Sequence, residues 1–444
     1  MYHYTHSINE IVLGCAATGL AAQVYEELNF DTTHGLFSVP VTDDEDDYDN
    51  INQILCNLNK NPQKVELVNA AKFIIIDEAF SNHKYVFQSI TNSYNLKGKV
   101  ILFLMDQGQT APVVKFGSRT QIVNATLITL PFWRNIIKFN LSDNLRLRGM
   151  RDADPTNDHY IRQKKYSETL KEIRTNGPFS ASGPIREVYS DPILGSKKLI
   201  YIGYKYFTDK NEAIISLYPN QFQTADIQKR AILASTNECV AEWNSEIQKL
   251  NPSEMQTLVS ENTFEEADDP HGILRSMLNT TSLEYFNKPG IPDHELKLKE
   301  NDICFLLSTI SRKDNLSRNT RVKILKINQY RIKIATLSNN PLIFSVPRVL
   351  FKVTHSNSFT LIRRQFPLCL AYSMTKNKSQ GQGLEYMIND ISKESFAHGQ
   401  EYVAFSRPFD IDQAAVYCTT EQLLQIDDEV YSPTFNNVVY NELL

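Results

Sequence analysis

No stretch of the 444 residues approaches the 18 or so uninterrupted apolar residues of a membrane span, so no membrane partner is expected. The apolar segment 11–22, IVLGCAATGLAA, has the length of a leader-peptide core, but neither Lys nor Arg precedes it. Six cysteines, at 15, 56, 239, 304, 369 and 418, fall in no C-x-x-C or metal-like spacing. This argues against a zinc site and a disulfide framework and predicts reduced thiols in an intracellular compartment. A net charge of −5 excludes a protein that grips polyanions by global charge alone. Glycine is sparse, and the phosphate-cradling pattern G-x-x-x-x-G-K-[ST] is missing altogether. The one Gly-Lys pair, Gly98-Lys99, precedes Val and a strand and has no glycine five positions earlier.

What is present is unevenly charged. DDEDDYD (43–49) reads as a solvated acidic loop. Residues 312–333, RKDNLSRNTRVKILKINQYRIK, hold eight Lys or Arg against one Asp. A basic stripe interleaved with β-formers suits a phosphate backbone, and it equally suits a solvated strand face.

The first 140 residues alternate short apolar runs with helical stretches. EIVLGCA (10–16), KFIIID (72–77) and KVILFLMD (99–106) are near-continuous apolar runs ending in small or polar residues. Buried parallel strands look this way, with function at their carboxyl ends. Residues 51–72 and 84–97 read as helical connections. A second α/β segment opens with RAILAST (230–236) and a helix over NECVAEWNSEIQKL. Residues 284–363 instead carry short β-rich runs between Asn, Ser and Pro turns, the pattern of a small β-barrel-like module. RRQFPLCLAYSMT (363–375) then reads as a buried strand. The expected fold class is α/β: two parallel-sheet domains with a small β-barrel-like insertion in the second. The expected bounds are 1–225, 226–283 with 364–444, and 284–363 for the insertion.

Several strand ends carry chemistry. Asp77 and Glu78 follow an apolar strand, where Asp can hold Mg²⁺ and Glu can polarise water, unless the pair merely caps the next helix. Gln109 in DQGQTAPV (106–113) can report a γ-phosphate or simply sit in a turn. Arg146 in LSDNLRLRGM and Arg407 in YVAFSR supply planar guanidinium groups that suit a transferring phosphoryl group, although a lone Arg is usually a surface residue. KNKSQGQG (376–383) places Lys378, Gln380 and Gly381 after a strand, suited to phosphate or a nucleic-acid backbone or to a plain polar loop.

The order of these motifs resembles superfamily-one helicases. The chain is similar to the PIF-type (petite integration frequency) DNA helicases, above all the branch found in Helitron transposons, over roughly residues 11–415. The resemblance is carried by AATGLAAQVY…TTHGLFSVPV (16–41), IPDHELKLKENDICFLLSTI (291–310), RRQFPLCLAYSMTKNKSQGQGL (363–384) and HGQEYVAFSR (398–407). It implies two RecA-like domains, ATP and Mg²⁺ as cofactors, and 5′ to 3′ movement on single-stranded DNA and at duplex junctions. By resemblance Asp77 coordinates Mg²⁺, Glu78 activates water, and Gln109 senses the γ-phosphate. Arg146 and Arg407 stabilise the transition state, while Gln380 and Gly381 couple nucleotide to DNA. Thr18, Thr33 and His34 fall in motifs that face DNA, Thr236 and Asn237 open the second motor domain beside it, and Lys378 joins them. The resemblance also admits a Helitron replication-initiator domain as partner and a nuclear, or else mitochondrial, location.

In that family the phosphate loop precedes AATGLAA by 20 to 30 residues, whereas 15 residues precede it here. The expectation is a truncated gene model or a decayed transposon copy, with a DNA-binding remnant that hydrolyses no ATP as the rival reading. Smaller departures are Met105-Asp106 for Gly-Asp, GQGL (381–384) for GQTL, and Arg318-Asn319-Thr320-Arg321 for N-G-T-R.

Overall fold

The computed structural model describes residues 10–40, 54–177, 185–201, 205–219, 227–265, 290–311, 313, 314, 316–337, 340–355, 359–427 and 430–444. The acidic run 43–49 lies outside them.

The first half is built on β1 (Val12–Ala16), β2 (Asp31–Thr32), β3 (Phe73–Asp77) and β4 (Val100–Phe103). They form one parallel sheet in the order β2-β1-β3-β4. Register pairs Ala16 with both Thr32 and Asp77, so the strands end level and their following loops share one rim. The β-branched run of β3 is explained by burial on both sides: Ile74, Ile75 and Ile76 are all buried. Helices α1 (Gly19–Gln23), α2 (Thr33–Phe37), α3 (Pro62–Ala70) and α4 (Lys84–Ser93) connect the strands. Asn61 caps α3 with Pro62 in its first turn, and α4 buries Tyr85, Val86, Phe87 and Ile90 along one face. The edge of β4 away from β3 pairs with nothing among the described residues, and Val100 there is half exposed. Lys99 donates to Asn69 O and Ala71 O at the end of α3, so the only Gly-Lys pair is a structural cap.

Helices α5 (Leu145–Ala153) and α6 (Asp158–Thr175) lead to the hairpin β5 (Ile185–Asp191) and β6 (Ser196–Tyr201), then to β7 (Tyr206–Phe207) and α7 (Lys210–Leu217). Strand β8 (Arg230–Ala234) and helix α8 (Asn237–Lys249) follow as predicted, with Trp243 and Ile247 buried one turn apart. The Trp243 indole N–H donates to Asp390 Oδ2 at 2.6 Å, which satisfies a donor in the core.

The inserted strands are β9 (Gln256–Val259), β10 (Glu261–Phe264), β11 (Glu295–Leu298), β12 (Ile303–Leu306), β13 (Arg321–Ile327), β14 (Arg331–Thr336), β15 (Ile343–Pro347), β16 (Val349–His355), β17 (Phe359–Gln365) and β18 (Leu368–Leu370). All their pairings are antiparallel, in the orders β15-β14-β13-β12-β18, β10-β17-β16 and β11-β9. The chain then re-enters the second parallel sheet through β19 (Ser373–Thr375), β20 (Tyr386–Asp390), helix α9 (Gln400–Phe405) and β21 (Ala414–Tyr417), before β22 (Leu423–Asp427) and β23 (Val430–Val438). That sheet runs β19-β8-β20-β21-β7.

Three sequence expectations change. Strand pairing within the insertion runs from Gln256 to Leu370, wider than 284–363, because β9 and β10 find partners only after the chain has returned. The run 363–375 is three short strands rather than one. It serves β17, then β18 against β12, then β19 against β8. The bound at 225 is also crossed. β7 completes the second sheet, while Val438, Tyr440 and Leu443 at the far end of the chain join the core of the first half.

The loop after β19 is tied to α9 by a fully buried ion pair. Lys376 Nζ lies 2.5 Å from Glu401 Oε1 and 3.1 Å from Ser395 Oγ, and Asn389 Nδ2 donates to Glu401 Oε2 at 2.9 Å. Removing one member strands a desolvated charge, whereas removing both removes the problem. Lys376→Met alone is expected to cost about 3–5 kcal/mol, and Lys376→Met with Glu401→Leu to recover most of that loss. Urea midpoints of the two variants decide it; an equal loss in both would mean that the pair contributes net stability.

Candidate functional site

The carboxyl rims of the two parallel sheets face one another, and most of the chemistry-bearing residues sit on them. Glu78 follows β3 with φ 49° and ψ 36°, a left-handed conformation that costs a side-chain-bearing residue of order 1–3 kcal/mol and persists where surrounding structure imposes it. Its Oε2 accepts from Gln380 Nε2 at 2.9 Å, and Gln380 Oε1 accepts from Thr110 Oγ1 at 2.6 Å. One amide therefore joins the end of β3, the loop after β4 and the loop after β19. Burial raises the Glu78 carboxyl above its usual range, with Asp77 and Asp106 adding to the rise and Gln380 and Arg407 opposing it. Burial also raises Asp77, offset by the Glu78 backbone N–H and the Tyr25 hydroxyl beside it. Burial in turn pushes the Tyr25 phenol up to about 12.

Two cations reach this point from opposite halves. Arg407 leaves α9 buried, its Nε on Val403 O at 2.9 Å and a terminal nitrogen on Ser406 Oγ at 2.8 Å. Arg146, exposed near the start of α5, places a terminal nitrogen 3.4 Å from Ser406 O. Burial, with the Arg146 guanidinium adding to it, lowers Arg407 to about 10, and it stays charged at neutral pH. Among the described residues neither guanidinium pairs with a carboxylate, so two like charges converge with no direct counter-ion. Gln109 Oε1, one residue before Thr110, is buried and has no hydrogen-bond partner. A vacant acceptor, two unpaired guanidiniums and two carboxylates suit the phosphate end of a metal-bound nucleotide, with Asp77 as the metal ligand. Among the described residues no glycine-rich turn cradles the inner phosphates.

Sequence reasoning missed the group that sets this geometry. Asp106 accepts from Arg174 Nε at 2.8 Å, Gly108 N at 2.9 Å and Tyr402 OH at 2.8 Å, joining the loop after β4 to α6 and α9. Burial works to raise Asp106, yet these three donors outweigh it and hold the carboxyl below its usual value. Tyr440 N donates to His398 Nδ1, so the ring proton is on Nε2 and donates to Gln107 O at 2.7 Å. Burial drives His398 down to about 4, so it stays neutral. Gly399 has φ +74°, and a β-carbon there would lie 2.3 Å from Gly108 O. The signals were legible: an Asp two residues before a Gly, and H-G opening a short helix.

The predicted nucleic-acid residues divide. Thr18 and Thr236 are N-caps, accepting from Ala21 N and Cys239 N. Asn237 and Lys378 line a cleft of about 1160 Å³ between α8 and the insertion, together with Thr375, Phe305, Arg318 and Asn319. Lys378 Nζ stands 3.6 Å from the Phe305 ring centroid, and burial lowers its ammonium. A desolvated cation with a ring and, among the described residues, no paired carboxylate favours an incoming anion. One expectation is corrected. Thr33 is fully buried and donates to Ala16 O at 3.1 Å, because it sits where α2 crosses β1. His34 is half-buried, 3.2 Å from Tyr85 OH, and burial lowers it. Gly381 has φ +78° with open space around it, so its role is the turn rather than a close approach.

Two RecA-like parallel sheets meet at their carboxyl rims, with a β insertion over the second. Comparison with known proteins gives this architecture a closer relation. The PIF1-like helicase family matches residues 1–182. The ATP-dependent DNA helicase Pif1 of Campylobacter jejuni is 38% identical over 74 residues, 15% of this chain and 16% of that protein. A structure of two coordinating Pif1 helicases at forked duplex DNA has a TM-score of 0.60 at 17% identity, covering 94% of this chain and 84% of that one. Bacteroides Pif1 with ADP-AlF3 and single-stranded DNA has a TM-score of 0.58 at 17% identity, covering 91% and 82%. The structural likeness establishes the fold.

A raised carboxyl is a cost of the folded state at neutral pH: the stability it lends is complete below the unfolded value of 4.5 and is lost as pH rises through the folded one. Glu78→Gln is therefore expected to raise the melting temperature at pH 7, with the gain shrinking toward pH 4. A gain independent of pH would contradict the raised Glu78.

Proposed function

We propose that this protein is an ATP-dependent DNA helicase of the PIF type, moving 5′ to 3′ along single-stranded DNA. The observation that carries the reading is the meeting of Arg146 and Arg407 from opposite halves beside Glu78, with Gln109 Oε1 unpartnered. Bound Mg²⁺ would supply charge neutralisation at the phosphates, with Asp77 as its protein ligand. Glu78, held by Gln380, is placed to take a proton from water once it is ionised. Arg146 and Arg407 answer the negative charge that spreads over a phosphoryl group in transfer. Their opposite origins make closure of the cleft and readiness for hydrolysis one event. Gln380 lies two residues from Lys378, so a change at Glu78 is transmitted to the nucleic-acid cleft through one short loop.

The relatives support the DNA half of the proposal: the Bacteroides protein is in complex with single-stranded DNA. A second reading is favoured by one observation, the missing G-x-x-x-x-G-K-[ST]. In it the same cleft holds single-stranded DNA while the nucleotide site turns nothing over. ATP hydrolysis stimulated by single-stranded DNA, with Glu78→Gln as control, separates the two. The first reading expects Glu78→Gln to slow turnover about 10²–10⁴-fold and Arg407→Ala to slow it about 10³–10⁵-fold. No hydrolysis beside intact single-strand binding selects the second.

Both readings share a prediction in the cleft. Lys378→Ala should weaken single-stranded DNA binding alike for every sequence and flatten the log–log salt slope by about 1. A sequence-dependent loss measured by fluorescence anisotropy would count against a phosphate contact.

A further inference from the structure

The basic stripe at 312–333 is only partly absorbed by the cleft. Arg318 lines the cleft, and Arg321 turns inward to Ala371 O at 2.8 Å. The remaining cations of β13 and β14, Lys323, Lys326, Arg331 and Lys333, alternate with Val322, Ile324, Ile332 and Ile334, all fully buried, and with Ile327, nearly so. Period-two alternation sends the apolar side chains into the insertion's core and the cations onto its outer surface. A bulge between Ile324 and Lys326 brings Lys326 directly opposite Lys333. Like charges facing one another across a ladder are destabilising. None of the four cations has an ion pair among the described residues, and their neighbours on β15, Ser345 and Pro347, are uncharged. Glu300, near the turn, accepts from Ile327 N.

This face begins at the cleft. Phe305, under Lys378, pairs in register with Arg321, and Ile303 pairs with Lys323. Nucleic acid leaving the cleft on this side meets the cations in succession. Arg331 and Lys333 are two residues apart on one strand, roughly 6.6 Å, which is close to two charge intervals along one strand of a B-form duplex. Single-strand sites interleave cations with aromatic platforms for bases. Here the exposed strand positions carry no aromatic; Tyr330, 76% exposed, stands at the turn beyond them. A surface of charge without stacking partners fits a backbone whose bases are turned inward.

We propose that the outer face of β13 and β14, through Lys323, Lys326, Arg331 and Lys333, docks the phosphate backbone of duplex DNA at the mouth of the cleft. The proposal rests on the DNA-binding reading above and adds a duplex site to it. The like-charge pair is then a stability cost retained for an anionic partner. Stability and binding must therefore move in opposite directions when it is relieved.

Lys326→Glu places a carboxylate opposite Lys333. It should raise the melting temperature while lowering affinity for a forked duplex toward that for its single-stranded arm alone. The salt slope for the fork should flatten by about 1 for each phosphate that is no longer neutralised. Affinity for the single-stranded oligonucleotide should not change. Lys326→Gln with Lys333→Gln, which removes charge without reversing it, should give the same pattern more weakly. Anisotropy titrations with the fork, its single-stranded arm and a blunt duplex read the affinities and salt slopes, and a thermal melt reads the stability. Unchanged fork affinity in both variants overturns the duplex face, as does an equal loss on fork and single strand. If the unaltered protein binds no single strand at all, it is the DNA reading itself that fails.

Discussion

A single side-chain amide sets the terms for the rest of this molecule. Gln380 donates to Glu78 and accepts from Thr110, so three segments, two of them hundreds of residues from the third, are held within two hydrogen bonds of one another. Both sheets must present their carboxyl rims to the same point for that to happen. The parallel registers achieve it, pairing Ala16 with Asp77 in one sheet and Thr375 with Ala234 in the other. Glu78 then accepts a left-handed backbone, Gln109 keeps an unmatched oxygen, and two guanidiniums approach one another. Each is unfavourable by itself. Together they mark the rim as the site that the proposed polyanionic ligand would occupy.

The surroundings make that geometry stiff. Asp106 draws Arg174, Tyr402 and its own loop together, and His398 holds Gln107 while Tyr440 holds His398. Gly399 allows the backbones of the two halves to touch. The buried Lys376–Glu401 pair secures the loop that carries Gln380 to the helix that carries Arg407. Motion of either element is thus passed to the other, the coupling on which the helicase proposed above depends. The far end of the chain is recruited to the same task, since Tyr440 and Leu443 lie in the first core rather than the second.

The cleft beside α8 and the insertion above it follow a different logic, in which charge is left unsatisfied. Lys378 is partly desolvated over Phe305, and among the described residues the outer cations of β13 and β14 stand without carboxylates. In both places apolar packing on one side of a strand or loop fixes the cation that projects from the other.

Much was legible from sequence because it is local. Apolar runs buried on both faces marked β1, β3 and β8, acidic residues at a strand end marked Asp77 and Glu78, and Gly-Lys without a glycine loop marked Lys99 as a non-site. Motif order brought Gln109, Arg146, Gln380 and Arg407 into one argument before any distance was known. Tertiary structure alone decided what depends on partners distant in the chain. Thr33 was expected to face DNA yet is buried, because α2 crosses β1 at that residue. The insertion draws strands from beyond its apparent bounds, because hydrogen-bond ladders close in space rather than in order. The partners of Asp106, Tyr402 and His398 were decided by the fold for the same reason: a polar residue shows what it can bond, and only the fold supplies what it bonds to.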